Sequence, residues 1–190
     1  MSRRVCVFCG SKDGERPAYR SMATRAGRAI AQAGCELVYG GSARGLMGAV
    51  ADAALEGGAR VVGVLPQGLL TGEGAHPGLT ERCVVASMHE RKALMYERAS
   101  VFLALPGGFG TMDELFEALT WGQLGVHQKP VGLLDIDGFY QPLLTWIAHA
   151  VREGFASRAA AEALEVDSEP ERLLGRLLAT VCSGNSDTYS

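Results

Sequence analysis

Glu114 closes the run Leu105-Pro-Gly-Gly-Phe-Gly-Thr-Met-Asp-Glu114, in which three physical devices meet within ten residues. The apolar stretch Val101-Phe-Leu-Ala-Leu105 has the character of a buried parallel strand, and Pro106 stops it. Gly107, Gly108 and Gly110 let the backbone turn sharply and come close to a ligand without Cβ interference. Thr111 then opens an amphipathic helix whose free N–H groups favour an anion. The pattern is that of a small phosphate seat with a carboxylate beside it.

Two readings of Glu114 compete. Thr111-x-x-Glu114 has the form of a capping box, in which threonine hydroxyl and glutamate carboxylate satisfy N–H groups at the helix start. Alternatively, Asp113 already supplies a first-turn carboxylate, which leaves Glu114 free to reach a ribose just beyond the phosphate. The opposite charge comes from Met88-His-Glu-Arg-Lys92, at the expected start of the preceding helix and thus at the same edge. Arg91 can offer a bidentate fork to a phosphate and Lys92 a point charge; the bland alternative is a solvated face with Glu90 and Glu97. His89 is an acid or base by type, although a lone histidine is more often structural.

The first glycine-rich turn of the chain, Tyr39-Gly-Gly-Ser-Ala-Arg-Gly-Leu-Met-Gly48, contributes Gly40, Gly41, Ser42 and Gly45 as candidates. It follows the second strand and lacks the G-x-G-x-x-G spacing of dinucleotide binders, so it argues weakly for NAD. Neither turn has the spacing of a triphosphate-binding P-loop. A monophosphate is the better fit.

These residues must be positioned by alternating elements. Strands are expected at Val5–Phe8, Glu36–Tyr39, Val61–Leu65, Arg82–Ala86, Val101–Leu105 and Val131–Leu134, with one more short strand later. Helices are expected over Ala18–Ala33, Leu46–Glu56, Met88–Ala99, Thr111–Leu124, Gly138–Glu153 and Pro170–Val181. Near-continuously apolar strands alternating with helices imply an α/β fold, a Rossmann-like doubly wound parallel sheet, with ligands at the carboxyl ends of the strands. One domain, residues 1–182, and a frayed polar tail, 183–190, account for the chain.

Composition removes other classes. The net charge of −3 and the scattered Lys/Arg residues leave no basic footprint for nucleic acid. No stretch approaches 18 uninterrupted apolar residues, so no membrane span is expected, and the N-terminus lacks the apolar core of a signal peptide. Five cysteines without paired metal-ligand spacing suit reduced thiols in a cytoplasmic protein. Cys6-x-x-Cys9 straddles the end of the first strand and reads weakly as a redox pair. No metal and no cofactor are expected.

Together, Pro106-Gly-Gly-x-Gly-Thr-x-x-Glu114, Met88-His-x-Arg-Lys92 and Gly45-Leu-Met-Gly48 resemble the Lonely Guy family, cytokinin-activating phosphoribohydrolases long mislabelled as lysine decarboxylases. The resemblance runs from about Val5 to Phe155. It implies a homodimeric Rossmann-like enzyme that hydrolyses the N-glycosidic bond of a purine nucleoside 5'-monophosphate, giving free base and ribose 5-phosphate. Arg91 and Glu114 match the catalytic pair. Glu73, Met88, Lys92, Gly107, Gly108, Phe109, Gly110, Thr111, Met112, Asp113 and Thr120 match substrate-contacting positions. Ser42 departs from the usual third glycine of the first turn, and Lys12 replaces a common serine. Thr120 lies six positions beyond Glu114, roughly 120° around a helix at ~100° per residue. Both cannot easily face one pocket from one copy, which suggests a site shared across the dimer.

Two competitors remain. A lysine decarboxylase would need pyridoxal phosphate on Lys12, Lys92 or Lys129. A non-enzymatic nucleotide or molybdenum-cofactor carrier of the same fold would bind without releasing a base.

Overall fold

The computed structural model describes residues 3–69 and 74–183. Its framework is seven parallel strands: β1 (Arg4–Phe8), β2 (Glu36–Tyr39), β3 (Val61–Pro66), β4 (Glu81–Val85), β5 (Val101–Ala104), β6 (Val131–Leu134) and β7 (Leu164–Asp167). They lie in the order β4-β3-β2-β1-β5-β6-β7. Every neighbouring pair is parallel, with Val7 opposite both Tyr39 and Leu103. The chain winds outward from β1 to β4, then returns to the other side of β1 for β5 to β7. The topological switch point is therefore the crevice between β1 and β5, where ligands of such sheets bind.

Helices cover both faces. They are α1 (Pro17–Gln32), α2 (Gly45–Glu56), α3 (Met88–Arg98), α4 (Phe109–Gln123), α5 (Gln141–Arg152), α6 (Arg158–Glu162) and α7 (Pro170–Ser183). Side-chain alternation along each strand divides the core in two. Val5, Val7, Leu37 and Leu103 pack with Ile30, Val50 and Leu177 on the face covered by α1, α2 and α7. Cys6, Phe8, Val38 and Phe102 pack with Met95, Leu115 and Tyr140 on the other. Cys6 and Cys9 consequently lie on opposite faces of the sheet, each buried as a free thiol, so the C-x-x-C spacing does not make a dithiol.

The observed elements depart from expectation in informative places. The helix expected from Gly138 begins at Gln141, because Asp137 takes a positive φ of 51° and confines Ile136–Gly138 to a single 3-10 turn. The short helix α6 lay outside the expected pattern; Ser157 caps it by accepting from the Ala160 N–H at 3.1 Å. Helix α7 runs on through Ser183, and the remaining tail, 184–190, lies outside the described residues. Among the described residues, no helix is long and apolar enough to cross a membrane.

Candidate active site

Arg91 and Glu114 meet although they start from different helices and are 23 positions apart. Arg91 lies in the first turn of α3. Ser87 caps that helix, accepting from the Glu90 N–H at 3.1 Å, and Glu90 reaches back to accept from the Ala86 N–H at 3.0 Å. This ordered start sends the Arg91 side chain over the sheet edge. Its Nε donates to the Val64 carbonyl at 3.1 Å and its Nη1 to Glu114 Oε1 at 2.8 Å.

Glu114 is carried by α4, and here the capping-box reading fails. Gly108 is the N-cap, the helix begins at Phe109 rather than Thr111, and no side chain caps it. Thr111 is already the third helical residue, so Glu114 sits a turn too far along to serve the helix start. Its partner is Arg91, and the Tyr96 hydroxyl holds its backbone by donating to the Glu114 carbonyl at 2.8 Å. The two residues are each only 7% exposed. Burial pushes the Glu114 carboxyl above the ordinary glutamate range, and the Arg91 guanidinium pulls it back.

The pair forms part of the wall of a cavity of about 860 Å³ along the carboxyl edge of the sheet. Two helices aim their N-termini into it: α2, through Leu46 and Met47, and α4, through Phe109, Gly110 and Thr111. The first N–H groups of α4 have no intrahelical acceptors and make an anion-favouring dipole end in the cavity, whereas at α2 the Met47 N–H is already donated to the Gly10 carbonyl at 3.2 Å. The loop leading to α4 is pinned from both sides. Tyr140 donates its hydroxyl to the Leu105 carbonyl at 2.6 Å, and the Gly10 N–H donates to the Pro106 carbonyl at 3.0 Å. A side chain on Gly108 or Gly110 would meet only open space, so these glycines leave room at the cavity rather than serve internal packing.

The first glycine-rich turn acquires a definite role. A Cβ on Gly40 would overlap Arg91 Nη2 and the Met47 methyl, so only glycine lets the guanidinium lie across the turn. Gly45 has φ +58°, and a Cβ there would run into the Ser11 backbone. Gly40 and Ser42 line the cavity; Gly41, at φ +81°, packs on Leu65 instead.

Other sequence-derived candidates lie elsewhere. Lys92 does not line the cavity: its Nζ stands 3.0 Å from Asp113 Oδ2 and 3.2 Å from Glu117 Oε2, a second bridge from α3 to α4 beside the Arg91–Glu114 pair. Asp113 is spent on that contact. Met112 packs into the core beneath α4, and Met88 is exposed at the start of α3. Thr120 is exposed and borders a separate apolar groove of about 230 Å³ with Phe116, Trp146 and Phe155. His89 is exposed. Glu73 lies outside the described residues. The cavity also takes in Lys12, and it recruits Tyr19, Leu65 and Phe139, which no motif marked. Of the three lysines considered for a Schiff base, only Lys12 borders the cavity; Lys129 donates to the Tyr96 carbonyl. Among the described residues, no group of three or more His, Cys, Asp or Glu side chains is arranged to hold a metal ion.

Comparison with known proteins places this geometry. Residues 47–177 match a family model described as "Possible lysine decarboxylase". The cytokinin riboside 5'-monophosphate phosphoribohydrolase LOG7 of Arabidopsis thaliana is 49% identical over 158 residues, covering 83% of this chain and 73% of that protein. The phosphoribohydrolase LOG of Oryza sativa subsp. japonica is also 49% identical over 158 residues, covering 83% of this chain and 65% of its own length. LOG3 of A. thaliana is 45% identical over 175 residues, 92% of this chain and 81% of that protein. Among solved structures, the molybdenum cofactor binding protein of Rippkaea orientalis superposes with a TM-score of 0.72 at 22% identity, covering 95% of this chain and 98% of that one. The Moco carrier protein of Chlamydomonas reinhardtii does so with a TM-score of 0.72 at 22% identity, over 95% and 99% of the two chains. At that identity the likeness is one of fold. The extent of the model match and the 45–49% identities establish that this chain belongs to the "Possible lysine decarboxylase" family, alongside the plant cytokinin riboside 5'-monophosphate phosphoribohydrolases.

Proposed function

We propose that this protein hydrolyses the N-glycosidic bond of a purine nucleoside 5'-monophosphate, either AMP or a cytokinin-type N6-substituted relative, to free base and ribose 5-phosphate. The buried Arg91–Glu114 pair on the wall of a cavity that α4 enters by its N-terminus carries this reading. Breaking the bond from C1' to the purine nitrogen develops positive charge on the ribose. A fixed carboxylate, Glu114, stabilises that charge or orients the attacking water. Arg91 keeps the carboxylate ionised in a desolvated place and clamps the substrate, turning binding energy into orientation. The 5'-phosphate takes the seat formed by the N–H groups at the start of α4.

The site is completed by a second copy of the chain. Trp146 and Phe155 are large apolar residues 55% and 87% exposed, and the groove they form contains Thr120, a matched position that faces away from the cavity. A homodimer through this face lets Thr120 of one copy serve the site of the other. The free thiols of Cys6, Cys9, Cys35 and Cys83 support a cytoplasmic location.

Incubation with AMP, N6-isopentenyl-AMP and the matching nucleosides tests the reading. Free base and ribose 5-phosphate should appear in equal amounts from the monophosphates, with the nucleosides poor substrates. Recovery of bound nucleotide intact would favour a carrier instead.

A further inference from the structure

His76 is buried, 5% exposed, and belongs to neither of the motif runs that build the site. Both of its ring nitrogens are engaged. Its Nε2 lies 2.9 Å from Asp52 Oδ1 on α2, and its Nδ1 accepts from the Gly78 N–H at 3.1 Å. The second contact fixes the tautomer. An Nδ1 that accepts carries no proton, so the ring proton is on Nε2 and is donated to Asp52. The His76 backbone N–H in turn donates to the Gly41 carbonyl at 2.8 Å, and an antiparallel bridge joins Ala75 to Ser42 next door.

These contacts form a chain that ends at the catalytic pair. Asp52 holds the His76 ring, His76 holds Gly41, and Gly40 immediately before it lies under the Arg91 guanidinium with no room for a Cβ. Gly41 has a left-handed φ of +81° and packs on Leu65, and the His76 N–H holds its carbonyl from outside the turn. The brace is also asymmetric in exposure: the Asp52 side chain is 56% exposed while His76 is enclosed.

We propose that His76, held by Asp52, is a positioning residue for Arg91, fixing the Gly40–Ser42 turn against which the guanidinium is aimed at Glu114. Its kinetic readout rests on the hydrolase reading above; nucleotide affinity gives a readout that does not. AMP affinity by calorimetry and adenine release should be measured for the wild type, His76→Ala, Asp52→Ala, Asp52→Asn, Arg91→Ala and the Asp52→Ala/Arg91→Ala double variant. Because Asp52 is half exposed, its variants stay folded even if His76→Ala does not. Asp52→Ala should weaken AMP binding and slow turnover by about 10-fold each, a part of the ~100-fold that a 1 Å misplacement can cost. Asp52→Asn, which keeps an acceptor for the Nε2 proton, should stay within about twofold of the wild type. In the Arg91→Ala background, Asp52→Ala should cause no further loss, since a brace that acts through Arg91 has nothing left to brace. Equal losses from Asp52→Ala in both backgrounds, or an Asp52→Ala variant that binds AMP normally, would overturn the proposal. A wild type that binds AMP or N6-isopentenyl-AMP but releases free base from neither would remove the hydrolase reading and leave this cycle intact, to be run with the nucleotide that binds. A wild type that binds neither nucleotide would overturn both.

Discussion

Arg91 Nη1 donates to Glu114 Oε1 at 2.8 Å, with each side chain only 9% exposed, and this contact sets the chemistry of the cavity. Removing one member of such a pair strands a charge in a desolvated place, so the two residues are coupled in stability and in function. Everything around them serves the contact: the Ser87 cap that orders α3, the Val64 carbonyl that holds Nε, and the Tyr96 hydroxyl on the Glu114 backbone.

The close approach of Gly40 to Arg91 makes a methyl group a sharp probe. Gly40→Ala should leave a folded protein, destabilised by roughly 1–3 kcal/mol as an overpacked site. Turnover should fall by about 10-fold or more, because the guanidinium must leave its line to Glu114. Thermal unfolding and kcat on AMP check this. A stable, fully active Gly40→Ala would mean that Arg91 need not cross the turn.

Glu114 gives a pH signature with a definite sign. Burial raises its pKa and catalysis requires the ionised form, so kcat should decline on the acid side through a value above the ~4.3 of an ordinary glutamate. Arg91 opposes the rise, so in the residual activity of Arg91→Ala the acid limb should move further up in pH. A profile of kcat against pH for both proteins measures this. An acid limb at or below ~4.3 would show that the titrating group is not this buried carboxyl.

The far edge of the sheet offers a test of stability independent of catalysis. Asp167, only 5% exposed at its side chain, accepts from Arg172 Nε at 2.6 Å, Arg176 Nη1 at 2.6 Å and the Glu169 N–H at 2.9 Å. Hydrogen bonds from Arg172, then the Glu169 N–H and Arg176, hold its carboxyl well below the usual carboxylate range. A depressed folded pKa contributes stability that is fully present above the unfolded value of ~3.9 and is lost as pH falls below it. Asp167→Asn should therefore cost about 2 kcal/mol in urea unfolding at pH 7. The difference should shrink steadily as the pH is lowered from 5 to 2. A cost that does not change with pH would make the contact a matter of shape rather than charge.

Much of this was legible in the residues. The parallel sheet followed from apolar runs such as Val101–Leu105 and Val131–Leu134, each too uniformly apolar to face water on either side. The Pro106–Glu114 run marked the site because a strand end, glycines and a helix start are local features. The capping box was misplaced for an equally local reason. Thr111-x-x-Glu114 and Ser87-x-x-Glu90 are indistinguishable as spacing, but Gly108 starts α4 one turn early and leaves only the second pair at a helix start. Lys92 could not be read correctly from sequence, since its partner Glu117 lies 25 positions away and becomes a neighbour only when α3 packs beside α4. Tyr19 and Phe139 escaped notice because they come from α1 and from the turn after β6, 120 positions apart in the chain, and meet on the cavity wall only in the fold, at 5.8 Å between ring centres.

The most direct test of the hydrolase mechanism is kcat for Glu114→Gln on AMP or N6-isopentenyl-AMP, with folding and nucleotide affinity measured on the same preparation. The amide keeps the shape and a contact to Arg91 while removing the charge. The account predicts a folded protein that still binds the nucleotide and turns it over roughly 100-fold more slowly or worse, since the lost interaction is one made with the developing ribosyl charge. A folded Glu114→Gln with near-normal kcat would contradict it and leave the proposed reaction without its carboxylate.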